Sequence, residues 1–234
     1  MRSASTNSLG VSVFGFEIGW PPFLAAAVAT TALAFLADHA LAHAMTGLPR
    51  IELAIAGVLT LAGDAGLQAG LVVAAAAWAW NARRVARDDA AREWATIQLR
   101  RVLFVAAAVV LAVLLEEATS LLMSRARPSV FLSTGEDTLL PLGFRITGKW
   151  GSFPSGHATR AFAAAAAAWM AWGRMRWLLI ALALGAAVSR VPLGRHFASD
   201  IVAGAWLGIA SASLLRWGRA AVQQDRSDAP TSPN

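Results

Sequence analysis

From Val102 to Met123 the chain runs as one apolar stretch, interrupted only by Glu116, Glu117, Thr119 and Ser120. About 20 residues of helix cross the hydrocarbon of a bilayer, so this stretch is long enough to span. Similar runs recur at about Trp20–His43, Asp64–Trp80, Gly156–Trp172, Trp177–Ser189 and Asp200–Leu215. In lipid a backbone must pair internally, which leaves helices or a closed barrel. The period-2 alternation of a barrel is absent. The predicted fold class is therefore all-α, a polytopic membrane protein with six transmembrane helices. One domain is expected over 1–219, with a polar, Pro/Ser-containing tail over 220–234 expected to be disordered.

Local signals refine this outline. Residues 1–19 read as a polar surface segment, and 49–62 as a moderately apolar stretch lying along the interface. Asp64 is a plausible N-cap for the second span. Ala42-His43-Ala44 fits a small-x-small cleavage site, but the n-region holds only Arg2 and the cut would fall far from the start. The first run is read as an uncleaved helix.

Composition narrows the chemistry. The chain is 57% hydrophobic and 15% charged, unlike a soluble domain. It has no cysteine, which excludes disulfides, thiolate metal sites and cysteine nucleophiles. It has no tyrosine, which removes one general acid. The net charge is +6, and every basic residue except Lys149 is arginine. In a membrane protein such a balance reflects topology and anionic headgroups rather than nucleic acid, so no nucleic-acid partner is expected. Arg83, Arg84, Arg87, Arg92, Arg100 and Arg101 join spans two and three, Arg174 and Arg176 join four and five, and Arg216, Arg219 and Arg226 follow span six. The positive-inside rule puts these segments and the N-terminus in the cytoplasm. The expected setting is a bacterial inner membrane, with the connections after spans one, three and five facing the periplasm.

Three polar segments sit at the outward ends of spans: Arg125-Ala126-Arg127-Pro128, Ser152-Phe153-Pro154-Ser155-Gly156-His157, and Ser189 through Asp200. In the second, a helix start leaves unpaired N–H groups outward, an anion site suited to phosphate. Gly156 permits close approach of an oxyanion, and His157 on the first turn could donate a proton to a leaving oxygen. Alone, this reads equally as a capped helix with an interfacial histidine. In the third, His196 and Asp200 are four apart and would share a helix face. A carboxylate on one imidazole nitrogen leaves the other free to attack. Arg127 and Arg190 supply fixed cations for phosphoryl oxygens, although singly each arginine reads as a headgroup anchor.

Taken together, Arg-Pro at 127–128, Pro-Ser-Gly-His at 154–157 and Ser-Arg-(five)-His-(three)-Asp at 189–200 resemble the type 2 phosphatidic acid phosphatase family. That family shares its site with bacterial acid phosphatases and vanadium haloperoxidases. The resemblance covers 116–215; before it only the hydropathy pattern and Gly63-Asp64 agree. It implies a phosphohistidine mechanism with His196 as nucleophile, Asp200 as its orienting partner and His157 as general acid, then base. Arg127, Arg190, Ser155 and the Gly156 amide would hold the phosphoryl oxygens. No metal or organic cofactor is implied, and the expected partners are a lipid phosphate substrate and the bilayer. The family's lysine seven residues before the arginine of Arg-Pro is here Ser120, with Arg125 or Lys149 as substitutes.

The substrates to consider are isoprenoid diphosphates, phosphatidylglycerophosphate, phosphatidate and lipid A. A phosphotransferase with the same intermediate, and a phospholipid-binding or transport protein, remain as alternatives. Glu116 and Glu117 read equally as a pairing of one with Arg125 or Arg160 and as a polar face lining the bundle. Arg160 is read as snorkelling or internally paired, and His39 and His43 as interfacial rather than metal ligands.

Overall fold

Three helix starts in this chain are capped by short polar side chains. Asp64 accepts from the Leu67 amide at 2.9 Å and opens α4 (Ala65–Val85), as its sequence position predicts. Asp88 accepts from the Ala91 amide at 2.7 Å and opens α5 (Asp89–Leu122), and Ser155 caps α7 (Gly156–Trp172). Each such cap contributes about 1 kcal/mol. The structure, a computed structural model, describes residues 10–137, 139–144 and 148–228, with 219–228 by backbone alone.

The first apolar run is two helices rather than one. α1 (Trp20–Phe35) and α2 (Asp38–Ala44) meet with a bend of 51°. α3 (Arg50–Leu59) and a 3-10 turn (Thr60–Gly63) lead into α4 across a bend of 44°. After α5 come the short strand β3 (Met123–Arg125) and α6 (Pro128–Thr134). α8 (Arg176–Val188) and α9 (Ala198–Asp228) complete the bundle.

Two segments depart from expectation. Residues 10–19 form a hairpin of β1 (Gly10–Val13) and β2 (Phe16–Gly19), with Val11 opposite Ile18. Val11 and Val13 alternate with Ser12, and Gly15 takes a positive φ in the turn, which suits a hairpin. Residues 1–9 lie outside the described residues. At the other end, α9 continues to Asp228, past the expected boundary at 219. Its Ala220-Ala221-Val222-Gln223-Gln224 stretch contains good helix formers, which extend the preceding helix. Residues 229–234 of the expected tail lie outside the described residues.

The bundle core is rich in alanine, packed around Phe23, Phe104, Phe162, Ile201 and Ile209. α7 buries Ala158, Ala161, Ala163, Ala165, Ala166 and Ala167, and α9 lays Gly204 and Gly208 against it. A Cβ on Gly204 would lie 2.6 Å from the Ser155 carbonyl, and one on Gly208 would press on the Thr159 carbonyl. Close approach of this kind is how helices associate where lipid removes the hydrophobic drive. Many large apolar side chains face outward, including Val28, Leu33, Leu71, Val110, Leu114 and Leu178.

Among the described residues, two helices are long and apolar enough to cross a membrane, or four if each bent pair is one span. α7 and α8 have 17 and 13 residues. At 1.5 Å per residue they reach about 26 and 20 Å, less than the roughly 30 Å of hydrocarbon. The helical architecture thus agrees with expectation, whereas the six spans are not all full-length helices.

The segments alternate in direction. β1–β2, the α4–α5 turn, the end of α7 and the latter part of α9 gather at one end, where Ser12 meets Ser213 and Arg216 bonds Glu17 at 2.6 Å. The opposite end collects α2, the 3-10 turn, β3, the start of α7 and the loop between α8 and α9. β3 pairs there with β4 (Leu139–Pro141). All the chemistry-bearing segments lie at this second end.

Candidate active site

His196 lies two residues before α9 and is buried. Its Nδ1 is 2.8 Å from the Ser152 carbonyl. A carbonyl only accepts, so Nδ1–H donates and Nε2 keeps a free lone pair. Burial, opposed by that bond, and the charges of Arg127, Arg190 and His157 push this imidazole down to about 3. The neutral, nucleophilic form therefore prevails at neutral pH.

Asp200 does not bond His196 directly; its Oδ2 is 3.9 Å from Nδ1. The helical i, i+4 relation fails because the helix begins at Ala198, after the histidine. Asp200 instead accepts from Ser152 Oγ at 2.6 Å, from the Phe197 amide at 2.8 Å and from Arg125 at 2.8 Å. Ser152, which sequence reasoning placed in a motif but gave no role, thus links the two: its carbonyl receives His196 and its hydroxyl binds Asp200.

His157 stands on the first turn of α7. Arg160 NH2 is 3.3 Å from its Nδ1, and Arg160 Nε donates to the Gly63 carbonyl at 3.3 Å. Arginine has no acceptor, so Nδ1 accepts and the neutral ring carries its proton on Nε2. Arg160 is therefore hydrogen-bonded inside the bundle, to His157 and the Gly63 carbonyl, rather than snorkelling or held in an ion pair within about 4 Å among the described residues. A Cβ at Gly156 would meet the mobile ends of two side chains, Arg160 Nη1 at 3.1 Å and Glu116 Oε2 at 3.2 Å. Glu116 and Arg160 thus flank one spot beside the amides that no helix start can pair internally. Ser155 is fully buried as the cap, its Oγ 3.5 Å from the Ala158 amide.

Arg127 and Arg190 approach from α6 and the end of α8. Among the described residues their Nε atoms are buried without a hydrogen-bond partner. Arg190 NH1 donates to Thr60 Oγ1 at 2.8 Å. Burial, with the charges of Arg195, Arg127 and Arg160, lowers Arg190 to about 10. Burial and Arg195 lower Arg127 too. Cations that depress one another around unpaired donors describe a site shaped for an anion. Arg195 was overlooked as a contributor, although its place beside His196 could have marked it.

The two substitutes for the missing lysine do not take that place. Arg125 is fully buried and bonds three carboxylates, so its donors are already engaged. Lys149 is exposed and meets the site through its backbone, its carbonyl accepting from the Arg127 amide at 3.0 Å. Ser120 is buried, near Gly151. His39 Nε2 lies 3.0 Å from Asp137 and its ring stacks on Phe131 at 4.2 Å.

Similarity to known proteins agrees with this geometry. The protein named Lipid A 1-phosphatase in Rhizobium johnstonii is 35% identical over 97 residues, 40% of this chain and 39% of the relative. Its namesake in Rhizobium etli is 37% identical over 86 residues, 37% and 36% of the two chains. The chain thus matches about two fifths of the length of these curated relatives. Among solved structures, Aquifex aeolicus LpxE superposes with a TM-score of 0.55 at 18% identity, over 76% of this chain and 94% of its own. A transmembrane PAP2-type phosphatidylglycerolphosphate phosphatase from Bacillus subtilis gives 0.56 at 22% identity, over 87% and 94%. Those two likenesses establish the fold. The description PAP2 superfamily matches residues 101–223, more than half of the 234, and takes in all three motifs, so this chain belongs to the PAP2 superfamily.

Proposed function

We propose that this protein is a membrane phosphatase that hydrolyses a lipid phosphate through a phosphohistidine, with lipid A the first substrate to test. The observation that carries this reading is the pairing of a free His196 Nε2 with the unpartnered, buried Nε–H groups of Arg127 and Arg190. In the first step the Nε2 lone pair attacks phosphorus and the P–O bond to the lipid breaks. His157, protonated on both nitrogens once the phosphate dianion sits beside it, gives its Nε2 proton to the departing oxygen and is left neutral. Water then attacks phosphorus, His157 takes its proton, and the P–N bond breaks to release phosphate. The arginines and the Gly156 amide hold the equatorial oxygens throughout.

A lipid substrate is supported by an apolar groove of about 430 Å³ between α1 and α9. It is lined by Leu24, Val28, Phe35 and Leu207 and reaches Phe153, beside the phosphate-binding helix start. In this reading the six alternating segments cross a bacterial inner membrane with both termini cytoplasmic and the site periplasmic. The short α7 and α8 are accommodated by local thinning and by burial of α7 within the bundle.

The test is phosphate release from a panel of lipid phosphates by detergent-purified protein in EDTA, comparing wild type with His196→Ala. Release by wild type alone is the expected outcome. Equal release by both, or none from any lipid, contradicts the reading.

A further inference from the structure

Next to His196, through Asp200, three carboxylates surround one guanidinium. Arg125 donates to Asp38 at 2.9 Å, to Asp137 at 2.7 and 3.2 Å, and to Asp200 at 2.8 Å. It also donates to Ser199 Oγ at 2.7 Å, and its guanidinium lies 4.6 Å from the Phe35 ring and 4.0 Å from that of Phe197. Asp38 accepts from the Ser199 amide at 2.9 Å, holding the first turn of α9 from outside that helix. The bend between α1 and α2 carries this side chain inward, where it is 1% exposed. Asp137 reaches the surface and bonds His39 at 3.0 Å.

The cluster connects to the nucleophile through a short bonded path. The Arg125 carbonyl accepts from the Ser152 amide at 3.0 Å, and Arg125 holds Asp200, which binds the Ser152 hydroxyl. The Ser152 carbonyl in turn receives His196. Ser152 is thereby fixed at three points, two of them set by Arg125.

The cluster holds three carboxyl groups about one guanidinium, with His39 bonding Asp137 at its outer edge. Next to it, the resting His196 is neutral. Attack on phosphorus converts that ring into a cation, protonated at Nδ1 and bonded to phosphorus at Nε2. Negative charge fixed in advance near the ring favours this state over the resting one, which is how preorganised electrostatics accelerate a step.

We propose that Asp38 and Asp137, acting through Arg125 and Asp200, form a positioning cluster that orients His196 and stabilises its phosphorylated, cationic ring. Asp38 lies outside the residues matched by the family description, 101–223. The inference thus assigns a role to the part of the chain that carries no motif. It rests on the nucleophilic role of His196.

The test uses full-length protein in detergent with Asp38→Asn and Asp137→Asn, each nearly isosteric and each one charge short. Lipid phosphate hydrolysis, vanadate inhibition and inhibition by product phosphate are measured, with Tm as a control. The expected result is a fall in kcat of about tenfold or more, with KM and phosphate inhibition little changed and vanadate affinity reduced in parallel, because vanadate must bond His196. Unchanged kcat and vanadate affinity in both variants overturns the proposal. A loss of phosphate binding, KM and Tm together also overturns it, because that is the signature of a merely structural cluster. Should Asp38→Asn fail to fold, Asp137→Asn, at the outer edge, carries the same test. His196→Ala in parallel separates the two readings: activity there refutes the nucleophile. An inactive His196→Ala beside fully active aspartate variants refutes only the cluster.

Discussion

Burial sets the chemistry of His196 before any substrate arrives. Its folded value is about 3, against an ordinary histidine value of 6.5. Between these values the unfolded chain binds the proton and the folded one does not. Stability from this residue is therefore fully present above about 6.5 and declines as pH falls below it. Thermal unfolding in detergent should accordingly fall between pH 7 and 5 less steeply in His196→Gln than in wild type. Equal slopes would mean that the imidazole takes up its proton without unfolding. His196, His157 and the arginines were legible as residue types at motif spacing. The direct His196–Asp200 bond was misread, because a spacing of four carries geometric meaning only inside a helix. Ser152 was unreadable for a different reason: its role belongs to a backbone carbonyl, which any residue possesses.

The helices are joined where side chains are smallest. Gly208 sits where a Cβ would press on the Thr159 carbonyl and lie 2.7 Å from the Ala163 amide. Both obstacles are backbone, so relief requires α7 and α9 to separate. Overpacking of this kind costs about 1–3 kcal/mol, and α7 carries His157 while α9 follows His196. Gly208→Val should lower Tm by several degrees and reduce activity with it, as read by thermal unfolding and phosphate release. A stable, fully active variant would show that the two helices have room to spare. Apolar runs revealed the segments, and Asp64 revealed where one begins. The bend after Phe35 was hidden, since Leu36-Ala37 holds neither proline nor glycine. It coincides with Asp38 being drawn to Arg125 and Ser199, partners 87 and 161 residues away. The Gly10–Gly19 hairpin is hard to read from sequence because each strand has only four residues.

At the scale of the whole molecule, the fold brings every motif to one end, where buried arginines with unpartnered Nε atoms and a carboxylate cluster both lie near His196. Fixed cations suit an entering dianion, and fixed carboxylates suit a ring that becomes cationic. The fold follows from hydropathy and motif order together, whereas the number of full crossings does not. Helix length depends on where caps and bends fall, and those are decided by tertiary partners. The most direct test of the central claim is a rapid quench of a radiolabelled lipid phosphate with wild type, His157→Ala and His196→Ala. The account predicts an acid-labile, alkali-stable label on His196, transient in wild type, slower both to form and to decay in His157→Ala, and missing in His196→Ala. Phosphate release with no labelled protein at any time, or a label that survives His196→Ala, would contradict it.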